Sequence, residues 1–496
     1  MLKKYYTGRE KIIIPITYKD FNIDPLKYII PFLGRCLSQN QQNKQDYIEL
    51  NAVYRGLQDI FDKVRLDGST DNNNQIVVNH TFRQVEFKKG FMVGNPIEYS
   101  QANSLKEIDD DLTYLGKFLK DSTKASKDID KYEDLYVAGV AYQYIIPKTE
   151  DFDKQNEAPF ELVNVEFGNG FVVYSGDSLG KPLFNVFINT IATIDSLGRP
   201  RNKTIYDVYY IDNTVEGNGY CYNVTLQKSS SKFVFVDDKK VRQPYKFLPL
   251  IEYSLNKSRM GIVELVLAIQ NGLNAIESNQ LDDIVEFVNA YLVYENQDID
   301  EKFKKTFDEF KKKRVLAIKS TNPQLPAKVS LLKQSLNHTD INSFFELLKN
   351  EMYDIVACPQ ASGNVTSGGD TGQARLLGNG WETAQNQAQV DTTYVKQYEY
   401  ELLKKMIICC KIFDTPIKKL AASDIEIKYS INMSNNLLVK TQSLKYMYDM
   451  NMPLQESLSM AGLTSDTYGV GKKWEERDDK IKNLENSDNS NNGINS

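Results

Sequence analysis

Two groups of adjacent carboxylates, Asp109-Asp110-Asp111 and Asp282-Asp283, are the raw material for binding a divalent cation. Both lie in helical patterns, where such pairs usually form solvated faces. Nitrogen ligands are scarce. The chain holds only two histidines, His80 and His338, which leaves little for a zinc site or a histidine-based triad. The five cysteines, Cys36, Cys221, Cys358, Cys409 and Cys410, show no C-x-x-C spacing and read as reduced structural thiols. The segment Gly469-Val470-Gly471-Lys472-Lys473 approaches a phosphate loop. It lacks the first glycine and the hydroxyl after the lysine. Neither H-E-x-x-H nor G-x-G-x-x-G occurs, and the G-x-S-x-G match Gly176-Asp177-Ser178-Leu179-Gly180 falls at a turn signal in a strand-rich stretch, not at a strand-to-helix elbow. The expectation is therefore no catalytic residue, no metal, no cofactor and no enzymatic activity.

Two other segments suit contact rather than reaction. Lys311-Lys312-Lys313-Arg314 is a dense basic cluster at the end of a charged helical pattern. It fits a solvated helix end, or contact with an acidic partner or nucleic acid. Residues 360–370 form a Gly/Ser-rich stretch without a lysine, which suits a mobile loop better than a nucleotide cradle. The 30 tyrosines could stack on bases, but most fall at strand spacing and belong to core and sheet surface.

The elements that must carry these segments follow from periodicity. Residues 51–64 have helical spacing through Val53, Leu57, Ile60 and Phe61. Residues 105–142 read as one or two helices, and 160–237 as short antiparallel strands punctuated by glycine turns. In 258–290, Ser258 is placed to cap a helix whose Ile262, Leu265, Ile269, Leu273, Ile276 and Ile284 form an apolar stripe. Strand-like pieces at 292–294 and 315–318 flank the charged helix, and Pro323 and Pro326 mark a loop. A second helix covers 338–357 and stops at Pro359. A long one follows from about 371 to 412, with Gly378 and Gly380 as kink points. A strand at 425–431, two short helices and a polar tail end the chain. No apolar run reaches the ~18 residues of a membrane span. The start, Met1-Leu2-Lys3-Lys4, does not resemble a secretory signal.

Several strings in order resemble the phage portal family of the SPP1 (gp6-like) type. They are Tyr54-Arg55-Gly56, the 75–80 segment, Gly90-Phe91-Met92-Val93-Gly94-Asn95-Pro96-Ile97, Ala138-Gly139-Val140-Ala141-Tyr142 and 247–253. The strongest are the helix 278–293 around Asp282-Asp283-Ile284, and Thr371-Gly372-Gln373-Ala374-Arg375-Leu376. The likeness runs from about 50 to 482. It implies an α+β portal fold with a β-rich wing, a long helical stem, a small α/β clip and a helical crown. Carried over, the wing is 1–257, the stem helices are 258–290 and 338–357, and the clip is 291–337. The tunnel loop is 358–371, the long kinked helix and wing strand 372–435, the crown 436–482 and a disordered tail 483–496.

The resemblance also implies a homo-oligomeric ring, usually a dodecamer, at one capsid vertex of the virion, assembled in the host cytoplasm. Double-stranded DNA would pass through it during packaging and ejection. Partners would be the terminase large subunit, head-completion or adaptor proteins, and the capsid and scaffolding proteins, with no membrane. The tunnel-loop residues Ser362, Gly363, Asn364, Thr366, Ser367, Gly368, Gly369 and Asp370 would approach DNA, and Lys311, Lys312, Lys313 and Arg314 would meet a partner at the clip. A formal net charge of −6 suits a wall that encloses DNA without gripping it, since each tight lysine–phosphate contact would have to break at every step. The alternative is another structural adaptor of the head–tail junction. A nuclease would need clustered carboxylates, and the sequence offers only scattered pairs.

Overall fold

The computed structural model describes residues 8–64, 73–102, 108–194, 198–214, 219–230, 232–236, 240–288, 292–295, 328–331, 338–360, 380–431 and 437–450, with a few single positions beyond. These form two compact units. One is drawn from Met1–Gly56, His80–Leu267 and Tyr353–Ser496, the other from Leu57–Asn79 and Ala268–Met352. The strands are β1 (Ile12–Ile14), β2 (Glu98–Gln101), β3 (Val140–Pro147), β4 (Phe160–Asn164), β5 (Gly170–Ser175), β6 (Pro182–Ile194), β7 (Pro200–Asp212), β8 (Tyr220–Ser229), β9 (Lys232–Phe235), β10 (Val241–Arg242), β11 (Leu250–Ser254), β12 (Leu292–Glu295), β13 (Lys328–Leu331) and β14 (Ile425–Lys428). The helices are α1 (Tyr18–Phe21), α2 (Pro25–Tyr54), α3 (His80–Val93), α4 (Asp109–Asp121), α5 (Lys124–Ala138), α6 (Ile262–Val288), α7 (His338–Ile355), α8 (Trp381–Ile412) and α9 (Leu437–Asp449).

The first unit is α+β. Its larger sheet has the order β1-β5-β6-β7-β8-β10, with β9 on β8. The antiparallel run expected from the turns holds, and β1 adds one parallel pairing to β5. Helix α2 starts where Asp24 caps it and Pro25 occupies the first turn, where a missing N–H costs nothing. Its buried face then changes character. Ile29, Leu33 and Cys36 enter a core with Phe171, Val173, Phe184, Val186, Val208 and Leu226. Farther along, Asn40 donates to the Gly168 carbonyl at 2.9 Å, and Asn43 exchanges two hydrogen bonds with the Glu10 backbone. The helix expected over 51–64 is instead the end of α2. Gly56 has φ of +90°, which breaks the helical path, and a 3-10 turn follows at Asp59–Asp62.

A second sheet, β11-β3-β4, packs near α5. Helix α5 ends at Gly139, with φ of +79°. A Cβ there would lie 2.5 Å from the Arg259 backbone, and one at Gly261 would lie 2.2 Å from the Val137 carbonyl oxygen. Two glycines thus let these backbones touch. Strand β14 pairs with β2 and is shorter than the 425–431 expected.

In the second unit, β12 pairs with β13, a strand the proline-marked loop did not announce. Helix α6 begins at Ile262 rather than after Ser258, because Arg259 adopts φ of +57° and Glu264 accepts from the Gly261 N–H at 2.8 Å. Gly380, at φ of +83°, precedes α8 and so starts that helix rather than kinking it. The expected strand 315–318 and the segment 371–379 lie outside the described residues.

Candidate functional site

Helix α6 carries Gln270, Asn274, Ser278 and Asp282 at strict four-residue spacing, and all four are buried. An extended segment, 73–79, lies along them. Val78 N–H donates to Asn274 Oδ1 at 3.0 Å, Ile76 N–H to Ser278 Oγ at 2.9 Å, and Asn74 N–H to Asp282 Oδ1 at 2.8 Å. The match is metric. Four helical residues advance about 6 Å, and two extended residues about 6.6 Å. At one end Gln270 donates to the Val78 carbonyl at 2.8 Å, and Asn274 bonds Gln58. At the other, Lys63 pairs with Asp282 at 2.7 Å. Burial opposes ionisation of Asp282, but the Lys63 and Asn74 bonds hold its carboxyl below the usual range.

This corrects two expectations. Asp282 is not a solvated face residue, and the polar stripe of this helix is its covered side. The expected apolar stripe is partly bare: Leu265 is 45% exposed and Ile284 52%. Helix α7 repeats the pattern, with Phe344 at 53% and Leu347 at 54%. The described link between these helices is Gln280 to Asn342 at 3.0 Å.

Residues 353–360 lead out of α7 toward the Gly/Ser segment, and Gly380-Trp381 follow it. Helix α3 grips both ends. His80 lies edge-on to Tyr353, Arg83 sits over the same ring, and Phe87 and Phe91 pack on Trp381. Lys88 is buried between them, with no hydrogen-bond acceptor among the described residues. Burial lowers its pKa, and Cys358 and Asp391 oppose that.

Behind this base, α8 is held to α5 by charge. Lys124 Nζ lies 2.5 Å from Asp128 and 3.1 Å from Glu399, and Lys131 pairs with both acids. Two cations alternate with two anions, which is the condition for tolerating buried charge. Burial disfavours the Glu399 carboxylate, yet the two lysines hold it well below the usual range. Tyr99 donates to it at 3.3 Å.

The other candidate chemistry resolves into structure. Asp111 is buried and accepts from the backbone N–H groups of Lys418, Lys419 and Leu420 at 3.2, 2.8 and 2.9 Å, so it too departs from the solvated reading. The five cysteines are free and buried. Burial pushes the Cys36, Cys221, Cys358 and Cys410 thiols up to about 12, where they are inert. Among the described residues no group of three His, Cys, Asp or Glu could hold a metal ion. None of their helices is long and apolar enough to cross a membrane. The expected contact residues, Ser362, Gly363, Asn364, Thr366, Ser367, Gly368, Gly369 and Asp370, lie outside the described residues, as do Lys311, Lys312, Lys313 and Arg314. What the sequence reading missed is the α6 zipper, whose signal was the unbroken four-residue polar repeat.

A family model described as phage portal protein, SPP1 Gp6-like, matches residues 33–484. No curated protein matches the chain.

Proposed function

The chain belongs to the SPP1 Gp6-like family of phage portal proteins, and on that premise we propose that its ring is the channel for packaging and ejecting double-stranded DNA. The ring is a dodecamer of heterologous contacts that close on themselves. Helices α6 and α7 form its stem, with 291–337 as the clip that receives the terminase and then the head-completion protein. Residues 358–371 are the tunnel loop, 436–482 the crown, and the 1–257 region most of the wing. The ring also nucleates capsid assembly through scaffolding protein.

The observation that supports this reading is the bare apolar surface on both helices, Leu265 and Ile284 on α6 and Phe344 and Leu347 on α7. A chain that worked alone would gain by covering them, each buried side chain of this size being worth about 1.5–3 kcal/mol. Neighbours in a ring cover them instead. The overall negative charge fits a passage that does not bind its cargo tightly.

The test of the channel is a deletion of 362–370 in the infecting phage. Assembled heads are expected with the ring in place but with DNA packaging or retention reduced at least tenfold. Normal packaging and retention would remove the loop from the mechanism.

A further inference from the structure

Strands β6 and β7 outrun their sheet. Strand β5 accompanies β6 only to Phe187, and β8 accompanies β7 only to Ile205. Five further pairs, from Thr190↔Thr204 to Ile194↔Pro200, continue as a two-stranded ribbon. No strand borders either outer edge among the described residues. At about 3.3 Å per residue the ribbon extends about 17 Å past the sheet. The core cluster stops at Ile188 and Tyr206. Beyond it Asn189, Thr190 and Ala192 are exposed, Ile191 is 47% exposed and Ile194 77%.

Such a ribbon is marginal in water without a third strand or a surface beneath it. It is also hazardous. Asn189-Thr190-Ile191-Ala192-Thr193-Ile194 holds four β-branched strand formers with no charge and no proline. That is the composition that invites edge-to-edge aggregation, and exposed edges are normally blunted by lysine, proline or a bulge. The partner strand has Pro200 and Lys203, but the 189–194 strand has no such protection. An arm of this kind is tolerable where another surface covers it.

Charge and surface chemistry select the occupant. The 188–204 stretch carries Arg199, Arg201 and Lys203 against one acid, Asp195, on a chain whose net charge is −6. The arm therefore suits an acidic surface. The cations and threonines could meet phosphates as well, but the exposed Ile191 and Ile194 gain nothing from a phosphate backbone and call for an apolar counterpart. A second copy of this chain offers negative charge and apolar contact together.

We infer that the ribbon of residues 190–194 and 200–204 is an intersubunit arm, laid by each copy on its neighbour in the ring. This rests on the ring itself. The experiment compares three full-length chains: wild type, a variant with 190–204 replaced by an Asn-Gly turn, and Ile191→Asp with Ile194→Asp. The short turn joins residues already paired, so the sheet keeps its register.

Native mass is measured against salt and protein concentration, with hydrogen exchange read on wild-type rings. Both variants should match the wild type in circular dichroism, yet need at least tenfold higher concentration to form rings. Amides of 189–194 should exchange at least tenfold more slowly in wild-type rings than in dissociated chains. Rings from the shortened chain at wild-type concentration and salt would overturn the inference and leave the ring standing. Protection that appears only when double-stranded DNA is added would assign the arm to DNA instead. If no variant and no wild type forms rings under any condition, the ring reading fails and takes the arm with it.

Discussion

The first turns of α2 in one unit and the polar face of α6 in the other bury opposite kinds of side chain. In the first, α2 lies on the large sheet through Ile29, Leu33 and Cys36 against Phe171, Phe184 and Val208. In the second, the 73–79 segment lies on α6 through Asn274, Ser278 and Asp282, while Ile284, Phe344 and Leu347 stay bare. An apolar core gains stability from every contact and needs no partner. A hydrogen-bonded seam gains little net stability, because water competes for each bond, but it fixes register and penalises any unmatched group. The first seam is stabilised by area buried. The second holds one helix face in a fixed rotation and leaves Ile284, Phe344 and Leu347 exposed in the single chain.

The largest effect is expected where the first unit relies on charge. Glu399→Gln leaves Lys124 and Lys131 buried with one anion between them, and should cost about 3–5 kcal/mol in denaturant unfolding. A loss under 1 kcal/mol would mean that the cluster does not pin α8 to α5. A smaller and local effect belongs to the seam. Asp282→Ala strands the Lys63 ammonium and two Asn74 donors, and should lower the opening free energy of 73–79 by about 2–3 kcal/mol in hydrogen exchange. The amides of β5 to β8 should not change. Because Asp282 has a lowered pKa, its contribution is present above the ordinary aspartate value and is lost as pH falls below it. The seam should therefore loosen at acid pH before the sheet does.

The smallest effect has the opposite sign. Burial raises the Asp134 carboxyl to about 7, against the hydrogen bond from Tyr47 and with help from Glu133, Asp130 and Glu166. An acid raised in the folded state loses stability as pH rises from about 4 toward 7. Asp134→Asn keeps an acceptor for Tyr47 and should stabilise the chain by about 1–2 kcal/mol at pH 8, with no gain at pH 4. Equal stability of the two chains at both values would contradict the assignment.

How much of this the sequence discloses depends on how far apart the partners lie. Helical spacing locates α6 and α7, and turn glycines locate most of the strand run, because both are local signals. Gly56 and Gly139, both at positive φ, end helices inside the 51–64 and 105–142 stretches, where spacing alone gives no stop. The roles of Asp111 and Asp282 are not legible in the sequence because their partners lie far away along the chain. Lys419 is 308 residues from Asp111, and Asn74 is 208 from Asp282. No window of the chain displays such contacts, and a carboxylate on an amphipathic helix defaults to solvent. The polar repeat of α6 was visible, but it competed with an apolar repeat on the same helix. Which face is covered inside the subunit is decided by the 73–79 segment, not by the helix.

The central claim is that the bare faces of α6 and α7 are surfaces between copies, and its most direct test is the native mass of the full chain, with class averages from the same sample. A closed ring with a central hole is predicted, about 0.7 MDa for twelve copies of 56.8 kDa. Phe344→Asp combined with Leu347→Asp should abolish it without unfolding the subunit. A chain that stays at 56.8 kDa at every concentration and is absent as a ring from heads would contradict the account, as would a double variant that assembles like the wild type.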